Sequence, residues 1–198
     1  MNDLSPKLIN QTILINMLIR SLNQLYKNDA PLLSNNLCER ALVFRVGHYL
    51  SKLLDEDYPN SEYSVDSEYN RRGSLEKRIC SSHAQYPDLI LHKRGDTSAT
   101  DGNNLLVVEF KRARERNYKK GFENDVKKLE HLTQNNDYNY LLGSHVYLEN
   151  DNYMIVWYIR GNHLNKGYTH NPTPISRKKS SFRSLYQGVS FNDKLDQM

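Results

Sequence analysis

The chain has 198 residues and a formal net charge of +4, with a sequence pI near 8.9. This length suits one domain with room for a sizeable core, and a mean hydropathy of −0.76 is typical of a protein with a hydrated surface. We find neither an apolar run of membrane-spanning length nor a secretory signal, and the two cysteines have no metal-binding spacing. We therefore expect a cytoplasmic protein with reduced thiols, no membrane association and a weak preference for anionic partners.

The N-terminal part of the chain is predicted to be helical. Apolar residues recur at helical spacing across residues 6–26, with Pro6 suited to the first turn and Ser5 to the cap. Residues 28–31 interrupt this pattern. The helix carries no group of reactive side chains, so we predict that it serves only for packing.

A second helix is predicted from Asn35 or Asn36, either of which can cap it, to residue 54. Glu39 lies in one helical stripe with the apolar residues that are expected to face the core. These are Leu42, Val43, Val46, Leu50 and Leu53. Glu39 is therefore either a first-turn acid that stabilises the helix N-terminus or a functional carboxylate directed inward.

Residues 63–69 alternate between polar and apolar side chains, which predicts the first strand of a sheet. A turn is expected at 70–73, followed by a polar, irregular stretch at 74–85. Glu68, near the end of the strand, is either a residue that reaches a functional site or an ordinary solvent-facing acid.

Two apolar runs carry charged residues where a buried strand is expected to have none. In the first run, Asp88 directly precedes the apolar residues 89–91. The second run, residues 105–111, contains Glu109 and Lys111. Side chains alternate along a strand, so Glu109 and Lys111 share one face.

The short connection at 94–104 predicts that these runs form an antiparallel hairpin. Such a hairpin brings Asp88 close to Glu109 and Lys111. Charges at the end of a buried strand are costly unless they pair, bind a metal or take part in a reaction.

The densest positive run of the chain follows the second strand and comprises Arg112, Arg114, Arg116, Lys119 and Lys120. A run of charges is usually a solvated loop. Its position directly after the charged strand end is equally compatible with contacts to the phosphates of a nucleic acid.

The C-terminal part is predicted to contain a helix at 121–133 and a hairpin of strands 140–148 and 153–159, with Trp157 in the core. Within the helix, Asp125 and Lys128 have the spacing of an ordinary surface ion pair. From residue 161 onward the chain is polar and basic, and we expect a loosely packed tail that could add a nucleic-acid contact.

The motifs together resemble those of one family. The Pro-Asp pair at 87–88, followed at hairpin distance by Glu-Phe-Lys at 109–111, resembles the PD-(D/E)xK nuclease superfamily with its restriction-endonuclease-like fold. The Asp-x-x-Lys-Leu element at 125–129 is also similar to that family. Residues 68–71 resemble a segment that precedes the Pro-Asp strand in many uncharacterised bacterial and phage members.

The resemblance implies an α/β fold with an αβββαβ core, in which a mixed central sheet is flanked by helices. This core would span residues 36–160 of a single domain that covers 1–198. An extra N-terminal helix would precede it, and a polar, basic extension at 161–198 would follow it.

The resemblance also implies a catalytic site that binds Mg²⁺ or Mn²⁺, hard cations that prefer oxygen ligands and retain room for water and phosphate. Asp88 and Glu109 would provide two catalytic carboxylates, and Glu39 a third, directly or through water. Phe110 would contribute its backbone carbonyl. Lys111 would orient the attacking water, lower its pKa or neutralise charge on the phosphate.

The sequence therefore predicts a metal-dependent nuclease that hydrolyses phosphodiester bonds in nucleic acid, DNA rather than RNA. A homodimer would suit an enzyme that cuts both strands. The alternative is a catalytically inactive module on the same fold that binds nucleic acid or protein, because a fold alone does not determine function. A third hypothesis, an accidental motif in a small α/β protein, requires that the four site residues do not converge in space.

Overall fold

The computed structural model describes residues 9–35, 38–69, 71–72, 75–76, 78–79, 83–84, 86–95, 103–112, 118–134, 138–170 and 190–192. The helices in this part of the chain are α1 (Gln11–Asn28), α2 (Ala30–Ser34), α3 (Glu39–Asp57) and α4 (Tyr118–Thr133). The long strands are β1 (Tyr63–Ser67), β6 (Leu89–Lys93), β7 (Asn104–Arg112), β8 (Leu142–Leu148), β9 (Tyr153–Ile159) and β10 (Asn162–His170). The short strands are β2 (Arg71–Arg72), β3 (Leu75–Glu76), β4 (Arg78–Ile79), β5 (His83–Ala84) and β11 (Ser190–Asn192).

One seven-stranded sheet organises the molecule, in the order β1-β6-β7-β8-β9-β10-β11. Neighbouring strands are antiparallel except for β7 with β8 and β10 with β11. The parallel pair β7 and β8 is connected through α4, as a parallel connection requires a crossover. Two small sheets, β2-β3 and β4-β5, lie between β1 and β6 in the chain. The fold is thus mixed α/β, in agreement with the coarse prediction.

Helices cover both faces of the sheet, and the side-chain alternation of the strands divides the core in two. Helices α1 and α3 pack on one face in a large apolar cluster that includes Leu89, Val108 and Phe110. Helix α4 packs on the opposite face in a smaller cluster that includes Ile90 and Val107. Successive residues of one strand therefore belong to different halves of the core.

The hairpin of β6 and β7 has the predicted antiparallel arrangement, with Leu89 opposite Val108 and Ile90 opposite Val107. The hairpin of β8 and β9 is also confirmed, and its turn is closed by the N–H of Glu149, which donates to the carbonyl of Asn152 at 2.9 Å. Trp157 is buried, as expected for a core residue.

Both N-terminal helices begin later than predicted. Helix α1 starts at Gln11, because Asn10 has an extended backbone and its side chain accepts a hydrogen bond from the N–H of Ile13. Asn35 is the C-cap of α2 and does not cap α3, and Asn36 lies outside the described residues. The cap position of α3 is Cys38, so Glu39 is the first residue of the helix.

Three predictions of irregular structure are wrong. The stretch 74–85, expected to be irregular, contains the short strands β3, β4 and β5. Arg71–Arg72, expected in a turn, is a short strand paired with Leu75–Glu76. Asn162–His170, expected in a loosely packed tail, is a strand of the main sheet paired with β9. The sheet therefore continues past residue 160. None of the helices in the described part of the chain combines the length and apolarity that crossing a membrane requires.

Candidate functional site

The site lies at the N-terminal end of β6, where β7 extends past its partner strand. Asp88 lies one residue before β6, and its Oδ2 accepts a hydrogen bond of 2.7 Å from the backbone N–H of Phe110. The carboxylate thus takes the place of a strand partner beyond the end of β6. This contact holds the Asp88 side chain against the edge of β7.

The same edge of β7 carries the Phe110 carbonyl, because the N–H and C=O of one strand residue point to the same side. Extending the register from Leu89 and Val108 sets Pro87 opposite Phe110. Proline has no N–H, so it cannot donate to that carbonyl. The β6–β7 hydrogen-bond ladder therefore ends at Pro87, and the Phe110 carbonyl oxygen lies on the same side of β7 as the Asp88 carboxylate.

The register also places Asp88 opposite Glu109, on the face of the sheet that α4 covers. Glu109 is 1% exposed, and its Oε2 accepts a hydrogen bond of 2.8 Å from Lys128 Nζ. Among the described residues no donor reaches the other oxygen, Oε1, which is itself buried. A buried carboxylate oxygen without a donor is costly, and such a group calls for a ligand or a functional explanation.

Helix α4 adds Asp125 and Lys128 to this cluster. Lys111 Nζ lies 3.1 Å from Asp125 Oδ2, in an ion pair whose partners are both largely buried. Lys128 Nζ lies 3.9 Å from Asp125 Oδ1 on the same helix. Asp125 and Lys128, predicted as an ordinary surface pair, therefore face the sheet. Asp125 contacts both lysines, and Lys128 contacts Glu109.

Glu39 joins the cluster from α3 across the end of β7. Its Oε2 accepts a hydrogen bond of 3.0 Å from the backbone N–H of Arg112, and its Oε1 lies 3.7 Å from Lys111 Nζ. Glu39 is a first-turn acid of α3 and its carboxylate is directed inward, while its functional role stays a prediction. Glu39, Asp88, Glu109 and Lys111 thus lie in one cluster, as the predicted site requires.

The three buried carboxylates resist ionisation. Burial raises the pKa of Glu109 well above its ordinary value, and the neighbouring Asp88 carboxylate raises it further. Burial likewise raises the pKa of Asp88, despite the hydrogen bond from Phe110, and that of Asp125. A divalent cation between such groups would favour their charged forms.

The two lysines keep their charge in this setting. Burial alone would lower the pKa of Lys111, but the Asp125 and Glu39 carboxylates outweigh it and raise the pKa. Burial of Lys128 is likewise outweighed by the Glu109 and Asp125 carboxylates, so its pKa is raised too. Both side chains are therefore ammonium groups over the physiological pH range, and they act as fixed positive charges.

His145 is a part of this site that sequence reasoning missed. It lies opposite Glu109 in the parallel ladder of β7 and β8, and it is fully buried. Its Nε2 lies 3.7 Å from Asp125 Oδ2, and its Nδ1 lies 3.1 Å from the Tyr147 hydroxyl. Burial and the two lysine charges lower its pKa well below the ordinary value, so the ring is neutral. Only its position as a polar residue inside an apolar strand could have drawn attention to it.

A cleft of about 710 Å³ opens on this cluster from the side of α3 and β1. Its lining residues are Glu39, Arg40, Val43, Ser67, Glu68, Tyr86 and Asp88. The Glu68 carboxylate lies 2.8 Å from Arg40 Nε on this surface, and both side chains are well exposed. Glu68 therefore lines the approach to Asp88 while pairing with a surface arginine.

The predicted phosphate-binding residues have different positions. Arg112 is 4% exposed, and its guanidinium donates to the carbonyl of Leu33 at 2.8 Å. The prediction that Arg112 contacts nucleic-acid phosphates is therefore wrong, because its buried side chain joins α2 to the end of β7. Arg114 and Arg116 lie outside the described residues. Lys119 and Lys120 belong to the first turn of α4, and their side chains are outside the described part.

The donor set suits a hard cation in part. Asp88, Glu109 and the Phe110 carbonyl offer oxygen atoms, and Mg²⁺ commonly takes only one or two protein carboxylates and keeps several waters. The buried oxygen Glu109 Oε1 is the observation that favours such a ligand. No three histidine, cysteine or acidic side chains of the described residues are arranged so that they could hold a metal ion by themselves.

Compared with known proteins, the chain matches no family model, and a search of curated proteins finds no match.

Proposed function

We propose that this protein is a metal-dependent nuclease that hydrolyses phosphodiester bonds in nucleic acid, with DNA as the first substrate to test. The observation that carries the proposal is the buried Glu109 carboxylate, which has one oxygen without a donor and lies opposite Asp88 at the open end of β6. Two acids, a backbone oxygen and a lysine at one strand end provide the groups that such hydrolysis needs.

The arrangement of elements supports the same proposal. Apart from the short strands β2 to β5, the chain order is helix α3, strands β1, β6 and β7, helix α4 and strand β8. This is αβββαβ, with β7 and β8 parallel. This is the order expected of a restriction-endonuclease-like core. The proposed core is extended by β9 and β10 at one side of the sheet and by α1 before it.

Asp88 and Glu109 would hold Mg²⁺ or Mn²⁺ together with the Phe110 carbonyl. When bound, the cation would stabilise negative charge on the phosphate and favour ionisation of water at neutral pH. Asp88 is kept in position by the Phe110 N–H. Glu39 would act at longer range, since its carboxylate already contacts Lys111 and the Arg112 N–H.

Lys111 would supply a fixed positive charge beside the phosphate. Its ammonium lies between Asp125 and Glu39, and these two carboxylates keep it protonated and orient it. A lysine with a raised pKa is a poor general base. Its proposed role is therefore to stabilise charge that develops on phosphate oxygens, in an environment where electrostatic interactions are strong.

A nuclease assay on plasmid DNA, single-stranded DNA and RNA with Mg²⁺ or Mn²⁺ tests the proposal. Wild type should cut at least one substrate, and a chelator should abolish cutting. Lys111→Ala should lose about a hundredfold or more in rate, the size expected when one charge-stabilising donor is removed. Lys52→Ala, which removes an exposed lysine from α3, should cut as wild type does.

Circular dichroism of each variant separates loss of chemistry from loss of fold. Full activity of Lys111→Ala, or cutting that persists in chelator, would contradict the proposal. Nucleic-acid binding without any cutting would favour a second function, a non-catalytic binding module. The ion pair between Glu109 and Lys128 favours that function, because it already neutralises one of the two acids.

A further inference from the structure

Lys128 has an unusual position for a lysine of a metal-dependent site. Its ammonium lies 2.8 Å from Glu109 Oε2, on one of the two carboxylates to which the proposed cation would bind. Its side chain is 16% exposed and that of Glu109 is 2% exposed. The proposed role of Glu109 thus requires it to exchange one positive partner for another.

The contact explains how the site exists without a metal. Two buried carboxylates opposite each other are unfavourable, as the raised pKa values of Asp88 and Glu109 indicate. An ammonium group on Glu109 offsets part of that cost. Removing one partner from a buried ion pair leaves an uncompensated charge, so Lys128 stabilises the metal-free fold.

The same contact opposes metal binding. A divalent cation held by Asp88 and Glu109 would face the Lys128 ammonium at close range, and like charges repel. The Lys128 ammonium and a divalent cation therefore compete for the Glu109 carboxylate. Lys128 must either remain and weaken the metal or move away.

The surroundings of Lys128 provide a place to move to. Its Nζ lies 3.4 Å from the carbonyl of Tyr86 and 3.9 Å from Asp125 Oδ1. A small rotation of a flexible side chain would bring the ammonium closer to these oxygens and away from Glu109. Asp125 is thus a second carboxylate partner on the lysine's own helix.

We propose that Lys128 is an internal counter-ion of the site, which occupies Glu109 in the metal-free protein and moves towards Asp125 and the Tyr86 carbonyl when a divalent cation binds. The inference rests on the proposed function, because it needs a cation at Asp88 and Glu109. Lys128 is then a positioning residue that sets the metal affinity. Asp125 is the carboxylate with which the displaced Lys128 ammonium pairs.

Isothermal calorimetry with Mn²⁺ alone tests this inference without any nuclease assay. Lys128→Met should bind Mn²⁺ about tenfold more tightly than wild type, the order of effect that one charge a few ångströms away exerts on a titrating group. Lys127→Met is the matched control, because it removes an exposed lysine from the neighbouring position of α4. It should bind Mn²⁺ as wild type does.

Two further variants cover the case in which Lys128→Met does not fold. Lys128→Gln retains a donor for Glu109 without the charge and should also tighten Mn²⁺ binding. Lys128→Arg retains the charge and should not tighten it. Equal or weaker affinity in folded Lys128→Met or Lys128→Gln would overturn the inference, and so would tighter binding by Lys128→Arg.

The outcomes also distinguish this inference from the proposed function. If Mn²⁺ binds wild type and the uncharged variants equally, only the role of Lys128 is wrong. If Mn²⁺ binds neither wild type nor any variant, the metal-dependent function fails together with the inference.

Discussion

The two faces of β7 differ in what their residues do. On the face towards α1 and α3, Leu106, Val108 and Phe110 are fully buried among apolar side chains. On the face towards α4, Val107 lies in an apolar cluster, and Glu109 and Lys111 follow it on the same face. One face therefore stabilises the fold by burial, whereas the other places charges where they destabilise it unless they find partners.

This difference shows how the domain can hold buried charges at one end of a core strand. The charged face receives its compensation from α4, whose Asp125 and Lys128 pair with Lys111 and Glu109. The apolar face needs no such compensation. Substitutions on the two faces of the same strand should therefore act in opposite directions on stability and on function.

Phe110→Ala should produce the largest loss of stability. The ring lies in the core on the α1 and α3 face, and its removal should lower the free energy of unfolding by about 3–5 kcal/mol, as for other aromatic truncations in cores. Urea unfolding of the metal-free protein measures this. A loss below about 1 kcal/mol would mean that the apolar face is less tightly packed than the structure indicates.

Glu109→Gln should act in the opposite way, because it removes a charge from the other face while keeping the size of the side chain. The variant should lose about a thousandfold in nuclease rate, which corresponds to the several kcal/mol that a bound metal contributes. Lys128 keeps Asp125 as a carboxylate partner, and the repulsion between Glu109 and Asp88 is removed, so the metal-free variant should be as stable as wild type or more stable at neutral pH. Glu123→Gln, an exposed change on α4, is the matched control.

The raised pKa of Glu109 predicts how the stability difference between Glu109→Gln and wild type depends on pH. The unfolded chain releases this proton near the ordinary pKa of 4.5, whereas the folded protein holds it to higher pH. The folded state then binds more protons, so wild-type stability falls as pH rises through the folded pKa. The advantage of Glu109→Gln in thermal unfolding should therefore grow as pH rises above 4.5, and an advantage that shrank instead would contradict the raised pKa.

Glu68→Gln should have the smallest effect and decides between the two interpretations of that residue. The exposed pair with Arg40 should contribute less than about 1 kcal/mol to stability. If Glu68 is only a solvent-facing acid, the nuclease rate should stay within about twofold of wild type. A drop of tenfold or more, with unchanged thermal unfolding, would identify it as a residue that supports the site.

Local patterns were sufficient to predict the centre of the charged cluster. Alternation along 105–111 placed Glu109 and Lys111 on one face, and the short connection before it predicted the hairpin that brings Asp88 close to them. The helical stripe of Glu39 predicted an inward-facing carboxylate as one of two alternatives, and the structure shows this direction. These relations depend on neighbours in sequence or on a short loop, so they can be inferred without knowing the rest of the fold.

The remaining features depended on long-range packing. Whether Asp125 and Lys128 form a surface pair or part of the site depends on how α4 is rotated against the sheet. The arginine at the end of β7, Arg112, becomes internal because α2 supplies a carbonyl for it. His145 joins the site only because β8 pairs with β7 in parallel register.

By itself, the sequence determined the alternation of charged and apolar residues on β7 and the position of Asp88 before β6, because side-chain direction in a strand follows from the backbone. The tertiary structure alone decided which partner each charge received. Glu109 is held by Lys128, and Lys111 lies between Asp125 and Glu39. These partners come from helices distant in sequence, and their contacts depend on the packing of α3 and α4 against the sheet, which no local pattern specifies.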